Sequence, residues 1–126
     1  MTTPTPRYPG RAPIDAYGNG GFRFAGMSHR GSILCLPSGI HAWAPAASED
    51  LHDSRAFAPA LAEKDSLGVL LVGTGQRQHM PTTTVVEAFA AAGVALETMD
   101  TGAACRTYNV LLAEGRAVGA ALLAVD

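Results

Sequence analysis

The stretch Leu67-Gly68-Val69-Leu70-Leu71-Val72 contains no polar residue, and Gly73-Thr74-Gly75 closes it with turn residues. A strand with one wet face alternates polar and apolar residues, so this uninterrupted run predicts a strand covered on both faces and a sheet enclosed between two layers. The downstream segments supply cover. Pro81 suits the first turn of a helix in which Val85, Phe89 and Ala92 share a face, and Gly93 closes it. Residues 94–99 read as another short strand. Asp100 and Thr101 are good N-caps for a second helix, whose stripe of Ala104, Tyr108, Leu111 and Leu112 ends at Gly115. Residues 116–125 then supply the last strand. Strand, helix, strand, helix and strand in succession predict a three-layer α/β core, with a right-handed crossover wherever neighbouring strands run parallel.

The first third is β-rich. Ile14-Asp15-Ala16-Tyr17 and Phe22-Arg23-Phe24 flank the turn Gly18-Asn19-Gly20-Gly21, and residues 31–36 and 40–43 read as two further strands around Pro37-Ser38-Gly39. Residues 54–64 have helix formers but a weak apolar spacing interrupted by Pro59, which predicts a short or irregular helix. Before Ile14, Pro4, Pro6, Pro9 and Pro13 oppose regular structure and any amphipathic targeting helix. The expected division is therefore a disordered tail over 1–13 and a single α/β domain over 14–126. A chain of 126 residues is long enough for one hydrophobic core.

Charge excludes two classes of partner. The net charge is −2, the chain has a single lysine, Lys64, and its arginines are scattered from Arg7 to Arg116. Neutralising phosphates along a nucleic acid or a lipid surface requires clustered cations, so neither partner is expected. No apolar run reaches the length of a membrane span; residues 117–125 are bracketed by Arg116 and Asp126. Cys35 and Cys105 each lie in an apolar stretch without metal-ligand spacing, which reads as two buried, reduced thiols and a cytoplasmic setting.

Two constellations invite a functional reading. Gly73-Thr74-Gly75 follows a buried strand and precedes a helix, the outline of a dinucleotide-binding unit. The position of that motif's third glycine is Gln78, however, the helix starts only near Pro81, and Arg77 is the one nearby cation. The alternative is a turn at the sheet edge, although the carboxyl end of a strand in an open sheet is where ligands bind. On the second helix, Arg106 and Asn109 fall opposite the apolar stripe, either as a solvated face or as part of a polar site with Thr74. The candidate binding surface is therefore Gly73, Thr74, Gly75, Arg77, Arg106 and Asn109. His29, His41, His52 and His79 are isolated, and no nucleophile elbow is present, so no catalytic residue, metal or cofactor is expected. Trp43 reads either as an interface anchor or as a core residue.

The order and spacing of Asp15-Ala16-Tyr17, Phe22, Leu36-Pro37, Trp43, Val72-Gly73-Thr74-Gly75, Thr107-Tyr108-Asn109, Glu114-Gly115-Arg116 and Gly119-Ala120-Ala121-Leu122 resemble a widespread family of unknown function. Its mitochondrial member is assembly factor 3 of respiratory complex I, NADH:ubiquinone oxidoreductase. The resemblance implies a three-layer fold around a mixed sheet. It also implies a non-enzymatic assembly or interaction protein, with complex I subunits or other assembly factors as partners and a bacterial cytoplasmic location. A small-ligand or nucleotide-binding domain is the competing expectation, and homodimerisation is left open.

Overall fold

The computed structural model describes residues 7–126. Three antiparallel strands come first: β1 (Ile14–Gly18), β2 (Gly21–Phe24) and β3 (Met27–Arg30), paired in that order. The remaining strands are β4 (Ile33–Leu36), β5 (Gly39–Ala42), β6 (Val69–Gly73), β7 (Ala95–Met99) and β8 (Val118–Leu122). They form a five-stranded mixed sheet in the order β5-β4-β8-β6-β7. Strand β6 is parallel to β7 and β8, whereas β4 is antiparallel to β5 and β8.

Alternation along the central strands divides the interior into two cores, because successive side chains point to opposite faces. Ile33 and Cys35 of β4, Leu71 of β6, and Ala120 and Leu122 of β8 face one layer, where they meet Phe22 and Phe24 of the small sheet and helix α3 (Thr101–Ala113) through Ala104, Cys105 and Tyr108. Leu34, Leu36, Leu70, Val72, Ala121 and Leu123 face the other layer. There they meet helix α2 (Thr83–Ala92) through Val85 and Phe89, and the segment carrying Trp43, Leu51 and Phe57. The uninterrupted apolar run of β6 is thus explained by burial on both faces.

Trp43 is a core residue. It is buried, its indole N–H donates to the Ala56 carbonyl at 2.9 Å, and its ring lies 5.7 Å from that of Phe57, which in turn packs 5.5 Å from Phe89. Such aromatic packing adds about 0.5–1.5 kcal/mol per pair beyond the area it removes from water. Around Pro59 the chain forms 3-10 turns at Ser54–Phe57 and Lys64–Ser66 and the single helical turn α1 (Ala58–Leu61), the irregular helix expected there.

Helix ends follow local chemistry. Asp100 caps α3 by accepting from the Ala103 N–H at 2.9 Å, and Gly93 closes α2 at φ 73°. The cap of α2 is Thr82, whose hydroxyl accepts from Val85 N–H at 3.4 Å and donates to the His52 carbonyl at 2.9 Å, so Pro81 precedes the helix instead of sitting in its first turn. Strand β3 is an addition to the expected elements. Residues 1–6 of the expected tail lie outside the described residues. Residues 7–13 run along the domain: Tyr8 exchanges two hydrogen bonds with Ile40, and an Arg11 guanidinium nitrogen donates to the Val118 carbonyl at 3.0 Å. Among the described residues, no helix is long and apolar enough to cross a membrane.

Candidate functional site

The carboxyl ends of β6, β7 and β8 converge on the start of α3. A β-carbon on Gly73 would stand 2.9 Å from the Thr101 α-carbon, so only glycine lets β6 end this close to the helix. Thr101, fully buried, is the hub. Its N–H donates to the Gly75 carbonyl at 2.8 Å, its hydroxyl donates to the Leu123 carbonyl at 2.8 Å, and its oxygen accepts from the Gly75 N–H at 3.0 Å.

Thr74 completes the corner. Its N–H donates to the Met99 carbonyl at 2.9 Å, and its hydroxyl oxygen accepts from the His79 N–H at 3.0 Å while lying 2.6 Å from the Arg77 carbonyl. With 4% of its surface exposed, Thr74 spends its hydroxyl on folding the loop back, and the Gly75 amide is likewise occupied. This is the physical reason that the glycine pair does not present free amides as a phosphate-binding loop would.

What the loop offers outward is its crest. Gln76, Arg77, His79 and Met80 are exposed, Met80 by 79%, and Arg77 has no ion-pair partner among the described residues. Gln78 turns sideways to donate to the Thr98 carbonyl at 2.8 Å, occupying part of the free edge of β7. Beside the crest lies an open hollow of about 440 Å³, lined by Thr74, Gly75, Arg77, His79, Ser48 and Leu123 among others.

Arg106 and Asn109 do not line this hollow; both join α3 to β1. The Asn109 side chain exchanges two hydrogen bonds with the Ile14 backbone, and Arg106 donates to the Tyr17 hydroxyl at 3.3 Å. The structure therefore brings Gly73, Thr74, Gly75 and Arg77 together and sets Arg106 and Asn109 on a second junction. The residue that sequence reasoning missed is Thr101, read only as a cap. A buried threonine one place after a good N-cap carries no local signal, because its partners Gly75 and Leu123 are remote in the chain.

Nucleophile chemistry is poorly served. Cys35 and Cys105 are free and buried. Burial pushes the Cys105 thiol up to about 12 and drives the Cys35 thiol and the Tyr108 hydroxyl well above their ordinary values. A thiol held neutral at pH 7 is a weak nucleophile. Among the described residues, no three His, Cys, Asp or Glu side chains gather as a metal site.

Comparison with known proteins places this architecture. An uncharacterized protein of Rhodobacter capsulatus is 43% identical over 98% of this chain and 93% of its own length. The human NADH dehydrogenase (ubiquinone) 1 alpha subcomplex assembly factor 3 is 33% identical over 87% of this chain, which spans 59% of that protein. Among solved structures, an outer membrane protein from Bartonella henselae superposes with a TM-score of 0.91 at 49% identity, covering 95% of this chain and all of that one. Residues 14–123 match the model of the family described as protein of unknown function (DUF498/DUF598). The match over residues 14–123 and these likenesses lead to one conclusion: the chain belongs to the DUF498/DUF598 family.

Proposed function

We propose that this protein is a non-enzymatic assembly or interaction factor that assists the biogenesis of respiratory complex I. The observation carrying this reading is the 33% identity to the human assembly factor 3 across 87% of the chain. The geometry is compatible with it: the corner built on Thr74 and Thr101 is internally satisfied, while the crest from Gln76 to Met80 stands exposed on that rigid base. An exposed Arg and Met on a fixed support form a contact surface for a protein partner, since both residue types are enriched at interfaces. A cytoplasmic protein reaching the membrane only through its partner is the matching cellular arrangement.

Affinity purification of the tagged protein from its native cell, with mass spectrometry of the chains that accompany it, tests the reading. Recovery of complex I subunits or assembly factors, lost in an Arg77→Ala/Met80→Ala variant that remains folded, supports both the role and the surface. Normal complex I assembly in cells lacking the gene sinks the role.

The hollow beside Thr74 favours one alternative. It lies at the carboxyl ends of β6 and β8, where open sheets bind small ligands, and Arg77 provides a cation for an anionic or nucleotide ligand. Calorimetric titration with a nucleotide and metabolite panel distinguishes this reading; heats abolished by Arg77→Ala would favour it over assembly.

A further inference from the structure

Charge that is scattered in the sequence is segregated in space. Residues 7–45 carry Arg7, Arg11, Arg23 and Arg30 against the single acid Asp15, a formal +3. Of the chain's 9 Lys and Arg and 11 Asp and Glu, five cations and ten acids remain for residues 46–126, a formal −5, and together these make the chain's −2. Within the three-stranded sheet itself, Arg23 and Arg30 outnumber the single acid Asp15, so a net positive sheet lies on a net negative body.

Strand register concentrates that charge. Phe22 and Phe24 turn into the core, which sends Arg23 to the outer face of β2. On β3, Ser28 pairs with Arg23 and Arg30 pairs with Gly21, so Arg23 and Arg30 stand as diagonal neighbours on one exposed face. Such neighbours lie about 7–8 Å apart at the backbone, within reach of one small ligand for side chains as long as arginine. Between them is an open hollow of about 350 Å³ whose lining includes Gly18, Asn19, Gly21 and Ser28 and no acidic residue. Glycines leave its floor without side chains to shield the cations. Among the described residues, neither guanidinium has an ion-pair partner.

Two unpaired guanidinium groups on one face repel each other, and an anion seated between them converts that repulsion into two charge-assisted hydrogen-bonding interactions. The planar donor fork of arginine matches the oxygens of a phosphoryl group, and a serine hydroxyl adds a third donor. We propose that the outer face of the β1–β3 sheet is an anion site in which Arg23 and Arg30, with Ser28, hold the phosphoryl group of a phosphate monoester. This site lies on different elements from the Thr74 corner and does not rest on the assembly role. A soluble ester and a phosphorylated lipid headgroup present the same chemistry.

The test is a nitrogen-15 NMR titration of the full chain at low salt with phenyl phosphate as probe and benzyl alcohol as its uncharged counterpart. The expected result is saturable shifts of the Arg23 and Arg30 side-chain N–H groups and the Ser28 amide, with a Kd on the order of 1 mM. Arg23→Gln and Arg30→Gln should each weaken binding about tenfold, as loss of a hydrogen bond to a charged group implies, while Arg55→Gln leaves it unchanged. Backbone spectra verify that each variant is folded. Phosphatidylcholine vesicles with and without phosphatidylinositol 4-phosphate identify the source. Co-sedimentation only with the phosphorylated lipid assigns a headgroup, and probe binding without co-sedimentation assigns a soluble ester. Shifts that do not saturate, that persist in the double variant, or that benzyl alcohol reproduces would overturn the site, as would vesicle binding without probe binding.

Discussion

The Asn109 side chain accepts a hydrogen bond from the Ile14 N–H at 2.8 Å and donates one to the Ile14 carbonyl at 2.9 Å, across 95 residues of chain. Since β1 is an edge strand of its sheet, this amide stands where a neighbouring strand would pair, and it fastens the small sheet to α3. Asn109→Ala leaves a partly buried donor and acceptor unsatisfied and should cost about 2–3 kcal/mol in urea unfolding. Asn109→Asp keeps the acceptor but sets a carboxylate against a carbonyl, so it should not restore stability. Faster exchange of the Ile14 amide should accompany either change; a loss below about 0.5 kcal/mol would show that water replaces the bracket.

The Thr74 hydroxyl separates fold from ligand chemistry. Thr74→Val preserves shape but removes the acceptor for His79 N–H and the donor beside the Arg77 carbonyl, which should cost about 1–3 kcal/mol and speed exchange of the His79 amide. Thr74→Ser retains the hydroxyl and should stay within about 1 kcal/mol of the parent. Equal losses in the two variants would point to the methyl group, not the hydroxyl, as the source of stability.

These two residues show where sequence reading reaches its limit. Asp100, Gly93 and Gly115 were legible because caps act within a turn or two, and the latter two glycines do take positive φ, 73° each. The 67–72 run was legible because burial on both faces leaves no alternation to interpret. Strand β3 was not: Met27-Ser28-His29-Arg30 lacks β-branched residues, and its pairing with β2 makes it a strand. Asn109 lies off the apolar stripe but is partly buried against β1, and its partner Ile14 is unknowable from helix periodicity. The role of Thr101 is likewise set by a remote carbonyl, that of Leu123. Scattered arginines concealed the basic face, because the register that gathers Arg23 and Arg30 exists only once the strands have paired.

Two glycines at the same helix end should respond oppositely to alanine. At Gly73 the added β-carbon meets the Thr101 α-carbon at 2.9 Å and the Leu122 side chain at 3.1 Å, and backbone cannot swing away. Gly73→Ala should cost about 1–3 kcal/mol through overpacking. At Gly102, within α3, the added carbon meets the Tyr17 hydroxyl, the far end of a side chain that is 43% exposed and free to turn outward. Gly102→Ala should therefore be neutral or stabilising by up to about 1 kcal/mol through helix propensity, with loss of the Arg106 contact to Tyr17. Thermal unfolding of both variants checks the pair; a Gly102→Ala protein as damaged as Gly73→Ala would mean that Tyr17 is held in place.

The buried thiols predict a stability profile at high pH. Burial raises the Cys105 pKa from 9.0 to about 12, and the Cys35 thiol is raised further in the same direction, partly by its neighbour Cys105. In the unfolded chain both thiols ionise near their ordinary value. Their contribution is thus fully present below about pH 8.5, and it falls as pH rises, because the unfolded state then releases protons that the folded state retains. Each thiol should add a slope of about 1.4 kcal/mol per pH unit through the window from roughly 9 to 12. Chemical unfolding from pH 7 to 10 should show the decline, and a Cys35→Ala/Cys105→Ala variant, although less stable at pH 7, should show a shallower one. Thiol-specific labelling provides the kinetic counterpart: both cysteines should react only as fast as the native state opens. Rapid labelling of native protein at pH 8, or parallel profiles for parent and variant, would refute the assignment of these groups to a closed core.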